Sequence, residues 1–470
     1  MKLPKEGEAF GEWFNTVLEE AEILDKRYPV KGMNVWRPYG VRLLRAIDAV
    51  IREAVESRGY REVIFPTLIP ETAFRKEEEH IRGFSSQVYW VTRGGETELD
   101  VKLVLRPTSE TAMYPIFALW VKSHGDLPIK VYQIVNVFRY ETKQTRPMLR
   151  VREIHFFEAH TAHESYEEAE RQMLEHLETW REITHRLAIP YRIFRRPEWD
   201  KFAGAQYSLA ADTILPSGRT LQIGTIHQYG QNFSRAFGIR FETREGGQDY
   251  AYQTTYGISE RLLAAVIAIH GDERGMVLPP EVAPIKVVIV PIEKKGREEE
   301  VYGFCRGIKE TLEREGIETV LDLRDYRPGW KYYYWELRGV PIRVEVGPAE
   351  VDSGRVVVTR RDTLRREEVP VEELVPRVRA LLRDIQESLR ERAWREFESK
   401  VREFEDLEGV AEHRGIAKVP WCGDDDCALA MQEETGKDLL GTPLEEEPVS
   451  GRCPVCGREA KTWAYLAKPY

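Results

Sequence analysis

Charged side chains are concentrated between positions 137 and 160, which read VFRYETKQTRPMLRVREIHFFEAH. Two runs in this stretch alternate with the two-residue period of a β-strand, so Arg139 and Glu141 share one face of the first run. In the second run the same period groups Arg150 with Glu158. The polar segment between the runs contains a proline, and the whole pattern predicts a hairpin with cations on one face.

Such a face suits a polyphosphate together with a small zwitterion. Guanidinium groups bind phosphate oxygens bidentately, and neighbouring carboxylates bind amines. A solvated, salt-bridged surface explains the same charges equally well, because runs of mixed charge are usually exposed. The charges alone therefore leave both interpretations open.

Four of the five cysteines lie near the end of the chain, as Cys422, Cys427, Cys453 and Cys456. Their spacing is C-x4-C, a gap of 25 residues, and C-x2-C. Because each short loop can direct two sulfurs at one ion, this pattern predicts a structural zinc site. Unligated or disulfide-bonded cysteines are the alternative, although the knuckle-like GRCPVCGRE turn favours a metal. Cys305 stands alone in the sequence and is predicted to be a small buried residue.

The composition indicates a globular chain of several domains. A length of 470 residues predicts roughly two to four domains, and a hydrophobic content of 42% can fill their cores. The net charge of -10 argues against a uniformly basic nucleic-acid binder but leaves room for basic patches. The richest apolar run, LLAAVIAIH, is too short to span a membrane, and MKLPKEGEAF shows no secretion signal. We therefore expect a cytoplasmic protein without a membrane partner.

The periodicity of the sequence predicts the elements that must position these residues. Amphipathic helices are predicted over 10–30 and 40–59. Strand-like runs dominate from about 100 to 280 and favour a mostly antiparallel sheet with flanking helices. After Pro279-Pro280 a βαβαββ alternation predicts a small α/β domain. A charged helical stretch at 371–407 then leads to the cysteines.

Several segments resemble one enzyme family. FRYE and the charged loop after it resemble motif 2 of class II aminoacyl-tRNA synthetases, and YGISERLLAAVIAIHGDERGMVLPP resembles their motif 3. LRPTSE and LQIGTIHQYGQNFSRAF are similar to segments of prolyl-tRNA synthetases, and RPGWKYYYWELRGVPIRVEVGP resembles the anticodon-binding domain of that family. The cysteine quartet and the terminal Tyr470 match the C-terminal zinc domain of the archaeal and eukaryotic-like branch. The resemblance covers almost the whole chain.

The resemblance implies an architecture and an activity. The fold would be multidomain α+β and α/β, with a class II antiparallel-sheet catalytic core over 1–280, an α/β anticodon-binding domain over 281–385 and a zinc-binding α+β domain over 386–470. The activity would be activation of L-proline with ATP to prolyl-adenylate, followed by transfer to tRNA(Pro) with release of AMP and pyrophosphate. A homodimer is implied, with structural Zn²⁺ and with Mg²⁺ accompanying ATP.

The resemblance also implies roles for individual residues. Arg139 and Arg261 would be catalytic, on the α-phosphate and the γ-phosphate of ATP. The residues expected to bind ATP are Arg139, Glu141, Arg150, Gln222, Thr225 and Arg261. Those expected to bind proline are Thr108, Glu110, Arg139, Glu158, His227 and Ser259. Glu336 and Arg343 are expected to read the anticodon. Because two anions must meet, fixed positive charge matters more here than an acid or a base.

Some positions depart from the pattern of the family. Phe156 stands where bacterial-type sequences often have tryptophan, and TIHQYGQNF differs from the more usual TSHHLGQNF. These departures lie in segments expected to form the pocket walls, and His227 itself is retained. The Tyr470 carboxylate is expected, again by resemblance, to approach the active site.

The sequence disfavours two alternative functions. A threonyl-type class II enzyme usually places zinc ligands in its catalytic core, which disfavours it. A non-catalytic paralogue would be expected to lose the motif 2 or motif 3 arginine, and both are present. Bacterial-type relatives carry a large editing insertion between these motifs, whereas only 63 residues separate Glu158 from Gln222. We therefore expect no editing domain in this chain.

Overall fold

The computed structural model describes residues 3–76, 83–84 and 86–470. These residues form an eleven-stranded sheet, a five-stranded sheet and three smaller sheets. The chain order divides them into an N-terminal core, a middle α/β unit and a C-terminal module.

The N-terminal segment supplies helices that cover the core and a small three-stranded sheet. Its elements are a 3-10 turn (Gly7–Ala9), α1 (Phe10–Glu20), β1 (Leu24–Asp25), β2 (Val35–Trp36), α2 (Pro38–Glu56), β3 (Arg61–Glu62), β4 (Leu68–Pro70), α3 (Glu71–Phe74), β5 (Trp90–Gly94), β6 (Thr97–Leu105) and α4 (Glu110–Trp120). The two helices predicted near the N-terminus are confirmed, but α1 is shorter than 10–30. It ends because Glu22 adopts a left-handed φ of 59° and the chain turns into the β1–β2 hairpin.

The remaining core elements build the large sheet. They are a 3-10 turn (His124–Asp126), β7 (Ile129–Phe138), β8 (Glu153–His163), α5 (Tyr166–Arg186), β9 (Arg192–Arg195), β10 (Tyr207–Ile214), β11 (Thr220–Gly230), α6 (Asn232–Phe237), β12 (Arg240–Glu242), β13 (Gln248–Tyr250), β14 (Tyr252–Ser259) and α7 (Arg261–His270). The strand order β9-β10-β11-β14-β8-β7 is antiparallel, and β3 joins β7 in parallel at the edge. The predicted antiparallel sheet with flanking helices is therefore confirmed.

The main hydrophobic core lies between this sheet and helices α1, α2, α5 and α7. Buried residues such as Trp13, Ile47, Trp180 and Leu263 belong to one contiguous cluster. These side chains recur at helical spacing on faces that the sequence pattern predicts to be apolar. Packing against the helices holds one face of the sheet in place. The ends of the strands can therefore carry polar groups.

The predicted extent of the charged hairpin is wrong in one respect. β7 ends at Phe138 and β8 begins at Glu153, so the charged residues between them lie in a loop. Pairing stops because the Arg152 amide donates to the carbonyl of Gly32 rather than to a neighbouring strand. The residues predicted on strand faces that lie in this loop are Arg139, Glu141, Arg150 and Arg152.

The middle unit is a five-stranded sheet that contains the predicted βαβαββ alternation and adds a short third helix and a fifth strand. Its elements are β15 (Val287–Pro291), α8 (Glu298–Arg314), β16 (Thr319–Leu321), α9 (Pro328–Leu337), β17 (Ile342–Val346), α10 (Pro348–Ser353), β18 (Arg355–Arg360), β19 (Arg366–Pro370) and a 3-10 turn (Val371–Glu373). The strand order is β16-β15-β17-β18-β19, parallel in the first three strands and antiparallel after them. Cys305 is fully buried in this unit, as predicted.

The C-terminal module continues the sheet of the core. It follows α11 (Leu374–Ser399) and contains β20 (Val401–Glu403), α12 (Leu407–Glu412), β21 (Ile416–Trp421), α13 (Asp425–Thr435), β22 (Asp438–Pro443) and β23 (Thr462–Ala467). Strand β22 pairs with β9, which joins the strands of the module and the core in one sheet. Helix α11 runs unbroken through position 385, where the middle and C-terminal domains are expected to meet. Among the described helices, none has the length and apolarity that a membrane crossing requires.

Candidate active site

A cavity of about 300 Å³ opens beside the large sheet. Strand β14 shows how its wall is built, since Tyr256 and Ile258 pack into the helical core. The alternate residues Thr255, Gly257 and Ser259 line the cavity. The two-residue period of the strand thus separates structural from functional positions.

The cavity brings together all of the residues predicted to bind ATP or proline. They come from the β6–α4 junction, the loop between β7 and β8, and strands β8, β11 and β14 with the start of α7. The predicted residues that line it are Thr108, Glu110, Arg139, Glu141, Arg150, Glu158, Gln222, Thr225, His227, Ser259 and Arg261.

Two partly buried arginines give the cavity positive charge. The Arg139 Nε donates to the carbonyl of Pro107 at 3.1 Å, and the Arg261 Nε donates to that of Leu149 at 2.8 Å. Within the described residues neither guanidinium has a salt bridge to a carboxylate. Burial, with the nearby charges of Arg150 and Arg139, lowers the pKa of Arg261 to about 10. Both side chains remain cationic at neutral pH and have donors to offer an anion.

A carboxylate faces the same cavity at the start of α4. The Glu110 Oε1 accepts from the Tyr229 hydroxyl at 2.6 Å, and its Oε2 accepts from the Thr108 hydroxyl at 2.6 Å. The imidazole of His227 lies 4.6 Å from the ring of Phe202, centroid to centroid. Burial lowers the pKa of His227 to about 3, so its ring is neutral. An anion between aromatic walls suits a small cationic amine on an apolar body.

Glu158 lines the cavity, but its oxygens are bonded to protein groups. Its Oε2 lies 2.8 Å from the His160 Nε2, and its Oε1 accepts from the amide of Gln133 at 3.0 Å and from the Ser109 hydroxyl. Burial alone would raise the pKa of Glu158, but the hydrogen bond and charge of His160 outweigh it and hold that pKa below its usual value. In this structure the Glu158 network holds the start of α4, which carries Glu110.

Other residues predicted for ATP contact one another in the wall of the same cavity. Arg150 Nη1 lies 3.5 Å from a carboxylate oxygen of Glu141. The backbone carbonyl of Gln222 accepts from the Arg261 Nη1 at 3.4 Å. The residues predicted for ATP and Glu110 therefore line one cavity.

Sequence reasoning missed several residues of the cavity wall. Arg196 and Glu260 both line it, and both are more than nine-tenths buried. Burial raises the pKa of Glu260 to about 8. In the sequence, Arg196 is one of two adjacent arginines after a strand, and nothing there distinguishes it from Arg195. Glu260 could have been found, because it immediately precedes the predicted Arg261.

The four predicted cysteines converge in the C-terminal module. Their sulfurs all lie within 4.8 Å of one another, and those of Cys422 and Cys456 are 3.7 Å apart. Zinc–sulfur bonds of about 2.3 Å in a tetrahedron place sulfurs about 3.8 Å apart, so these donors fit one ion. Arg458 donates to the Cys456 sulfur at 3.2 Å and to Asp424 at 2.6 Å, tying the two loops together.

The two residues predicted to read the anticodon are paired with each other. Arg343 Nη1 donates to the Glu336 Oε1 at 2.8 Å, while Arg274 donates to the Oε2 at 3.0 Å. The Arg343 guanidinium also lies 4.0 Å from the Tyr332 ring centroid. Both predicted residues therefore lie at one site, but each already has partners.

Tyr470 lies beside the loop that follows β7. Its ring stacks under the guanidinium of Arg219 at 4.6 Å and near that of Arg146 at 5.5 Å. Its hydroxyl donates to Ser217 at 2.8 Å. The C-terminal residue thus contacts the same loop that supplies Arg150 to the cavity.

Known proteins resemble this chain over its whole length. Residues 89–270 match the family described as tRNA synthetase class II core domain (G, H, P, S and T), residues 286–381 match the anticodon binding domain, and residues 404–470 match the C-terminal domain of prolyl-tRNA synthetase. The proline–tRNA ligase of Pyrococcus horikoshii is 60% identical over 98% of both chains. That of Methanosarcina mazei is 50% identical over 98% of this chain and 97% of its own.

A solved structure gives the same result. The structure titled Giardia lamblia prolyl-tRNA synthetase in complex with prolyl-adenylate matches with a TM-score of 0.97 and 36% identity, covering 100% of both chains. The match includes the core, the middle unit and the cysteine module. With the geometry of the cavity, these similarities show that the chain belongs to the prolyl-tRNA synthetase family.

Proposed function

We propose that this chain activates L-proline with ATP to form prolyl-adenylate and transfers the prolyl group to tRNA(Pro), releasing pyrophosphate and AMP. The convergence of the predicted ATP and proline residues on one cavity carries this proposal. Relatives named proline–tRNA ligase support it, and they do not favour the threonyl-type or non-catalytic alternatives.

The chemistry requires two anions to react. The carboxylate of proline attacks the α-phosphorus of ATP, and the bond to pyrophosphate breaks. Glu110 holds the cationic imino group of proline, which orients the attacking carboxylate. Arg139 contacts the α-phosphate and Arg261 the γ-phosphate, where their charge stabilises the negative charge that spreads in the transition state.

Two metals belong to the proposal. Mg²⁺ bound with ATP would add positive charge at the phosphates. Glu141 would offer this ion a carboxylate oxygen at the cavity wall. Zn²⁺ bound by the four cysteines would have a structural role, since four thiolates leave no open coordination position.

The proposal divides the chain into a catalytic domain over 1–280, an anticodon-binding domain over 281–385 and a zinc domain over 386–470. Glu336 and Arg343 would contact tRNA(Pro) in the middle domain. A cytoplasmic location is part of the proposal, supported by five cysteines that form no disulfide.

We also propose a homodimer. Strand β3 is an edge of the large sheet, and Ile64 beside it is 85% exposed. Trp120 is also exposed and lies 5.9 Å from the ring of Phe65. An open strand edge with exposed apolar side chains favours pairing with a second copy. Light scattering should give twice the chain mass, and Ile64→Glu should halve it. A monomeric parent protein would contradict the dimer.

ATP–pyrophosphate exchange across all twenty amino acids tests the central proposal. We expect exchange that depends strongly on proline, followed by charging of tRNA(Pro). Greater exchange with another amino acid, or none with any, would contradict it.

A further inference from the structure

Arg196 lies where the C-terminal module meets the cavity. It follows β9, and its side chain is only 6% exposed. Its Nη1 donates to the carbonyl of Leu440 at 2.7 Å. Its Nη2 donates to the Asp212 Oδ2 at 2.7 Å and to the Gln222 Oε1 at 3.2 Å. One guanidinium therefore links the module, a buried acid and a residue of the predicted ATP site.

The backbone of β22 is shaped to supply this carbonyl. Leu440 is the bulged residue between the paired positions of Leu439 and Gly441. Gly441 has a φ of 136°, and a Cβ there would lie 2.0 Å from the carbonyl oxygen of Arg195. Only glycine permits both this conformation and this approach. The module is thus fitted closely against the end of β9.

The contact decides how the Gln222 amide is oriented. A guanidinium has donors only, so the Gln222 atom that faces Arg196 must be the carbonyl oxygen. The Nε2 of Gln222 is then the part of the amide that can donate to a ligand. Oxygen atoms of a nucleotide are acceptors, so this orientation suits ATP.

Asp212 adds the charge that holds Arg196 in place. The acid is 1% exposed on β10, and Arg196 is bonded directly to it. Burial raises the pKa of Asp212, and the adjacent Arg196 opposes that rise. The pair anchors the guanidinium from the side of the core, while Leu440 anchors it from the module.

We propose that Arg196 is a positioning residue for ATP: held by the Leu440 carbonyl, it orients the Gln222 amide and makes the C-terminal module part of the nucleotide site. The inference rests on the proposed function and deepens it. It assigns the module a task in the activation step, separate from metal binding.

Arg196→Lys tests the inference, because lysine keeps the charge but loses the fork that reaches both Leu440 and Gln222. In proline-dependent exchange we expect the KM for ATP to rise roughly tenfold, as for the loss of a charged hydrogen bond, while the KM for proline stays within about twofold. A folded Arg196→Lys protein with an unchanged KM for ATP would overturn the inference.

Arg192→Lys is the matched control. Arg192 begins β9, the strand that Arg196 follows, and it also reaches the module, with Nη1 3.3 Å from the Tyr465 hydroxyl. The described part of the cavity wall does not include it. We expect its KM for ATP to match that of the parent protein. An equal rise in both variants would show that loosening the module, and not the orientation of Gln222, raises the KM.

Two further variants examine each side of the contact. If Arg196 acts through Gln222, the double variant Arg196→Lys/Gln222→Ala should have nearly the same KM for ATP as Gln222→Ala alone. A KM raised by the product of the two single effects would overturn the inference. Gly441→Ala should raise the KM for ATP as Arg196→Lys does.

Failure of the proposed function is distinguishable from failure of this inference, since the parent protein would then lack proline-dependent exchange. In that case the affinity for ATP, measured by calorimetry, provides the same comparison of variants.

Discussion

At the scale of single residues, the cavity depends on the partly buried guanidinium groups of Arg139 and Arg261, which pair with no carboxylate among the described residues. Arg261 begins α7, and a backbone carbonyl fixes its Nε. Arg261→Ala should remove a partner of the γ-phosphate from a closed site. Losses of single preorganised donors raise barriers by about 2.7 to 4 kcal/mol, which corresponds to a fall in exchange of about a hundredfold or more.

Initial rates of ATP–pyrophosphate exchange measure this effect. Arg306→Ala is a suitable control, because Arg306 is exposed on α8 and pairs only loosely with Glu299 at 3.3 Å. We expect the control to exchange like the parent protein. A folded Arg261→Ala protein with full activity would refute the role given to Arg261.

The sequence identified the residues of the cavity that occur in local motifs. Arg139, Arg261 and Glu110 each stand in a short run that resembles a motif of the family. Arg196 has no such run, because its role depends on a carbonyl 244 positions further along the chain. A bond from a side chain to a distant backbone leaves no pattern in the sequence.

At the scale of elements, the types of helix and strand were predicted better than their ends. Alternating charges continue past Phe138, so the pattern alone suggests that the strand continues too. The strand ends because Arg152 bonds to Gly32 instead, which only tertiary structure determines. Helix α9 begins at Pro328, because proline suits the first turn of a helix.

Helix α9 and strand β17 hold the proposed anticodon site. Arg343→Ala should remove a donor suited to guanine and leave Glu336 with Arg274 alone. We expect aminoacylation of tRNA(Pro) to fall by about tenfold or more, while exchange without tRNA stays unchanged. Both reactions are measured on the same preparation.

Arg355→Ala is the control for this site, since Arg355 lies on the neighbouring β18 and is largely exposed. It should aminoacylate normally. Equal loss of exchange and aminoacylation in Arg343→Ala would indicate misfolding of the unit and not loss of tRNA contact.

The metal site joins two loops and the start of α13. Cys427→Ser should remove one thiolate from the cluster, and three remaining ligands hold zinc much more weakly. Elemental analysis should find one zinc per parent chain and little in the variant. Because metal binding contributes to folding, the variant should also melt at a lower temperature. The control variant Cys305→Ser should contain as much zinc as the parent protein. A parent protein that is purified without chelator and contains no zinc would contradict the site.

At the scale of the whole molecule, the length of chain between motif 2 and motif 3 bears on how well the enzyme rejects wrong amino acids. All residues from 159 to 221 are described, and they form the end of β8, helix α5, strands β9 and β10, and the start of β11. A proline pocket can admit alanine, because a missing methylene gives only about 1 to 3 kcal/mol of discrimination. Cysteine is similar to proline in bulk and can bury its thiol.

We therefore expect measurable exchange with alanine or cysteine and no hydrolysis of alanyl-tRNA(Pro) by this chain. The deacylation assay uses purified protein, with free tRNA release as the readout. Rapid enzyme-dependent clearance of the mischarged tRNA would contradict the expectation.

The single sheet shared by the core and the C-terminal module has a consequence for synthesis of the protein. Strand β9 pairs with β10 on one side and with β22 on the other. While the ribosome is still making the last part of the chain, β9 is an open edge that can pair with other nascent chains. Chains that terminate before residue 438 would keep this edge, so premature termination should produce aggregates and not a smaller working enzyme.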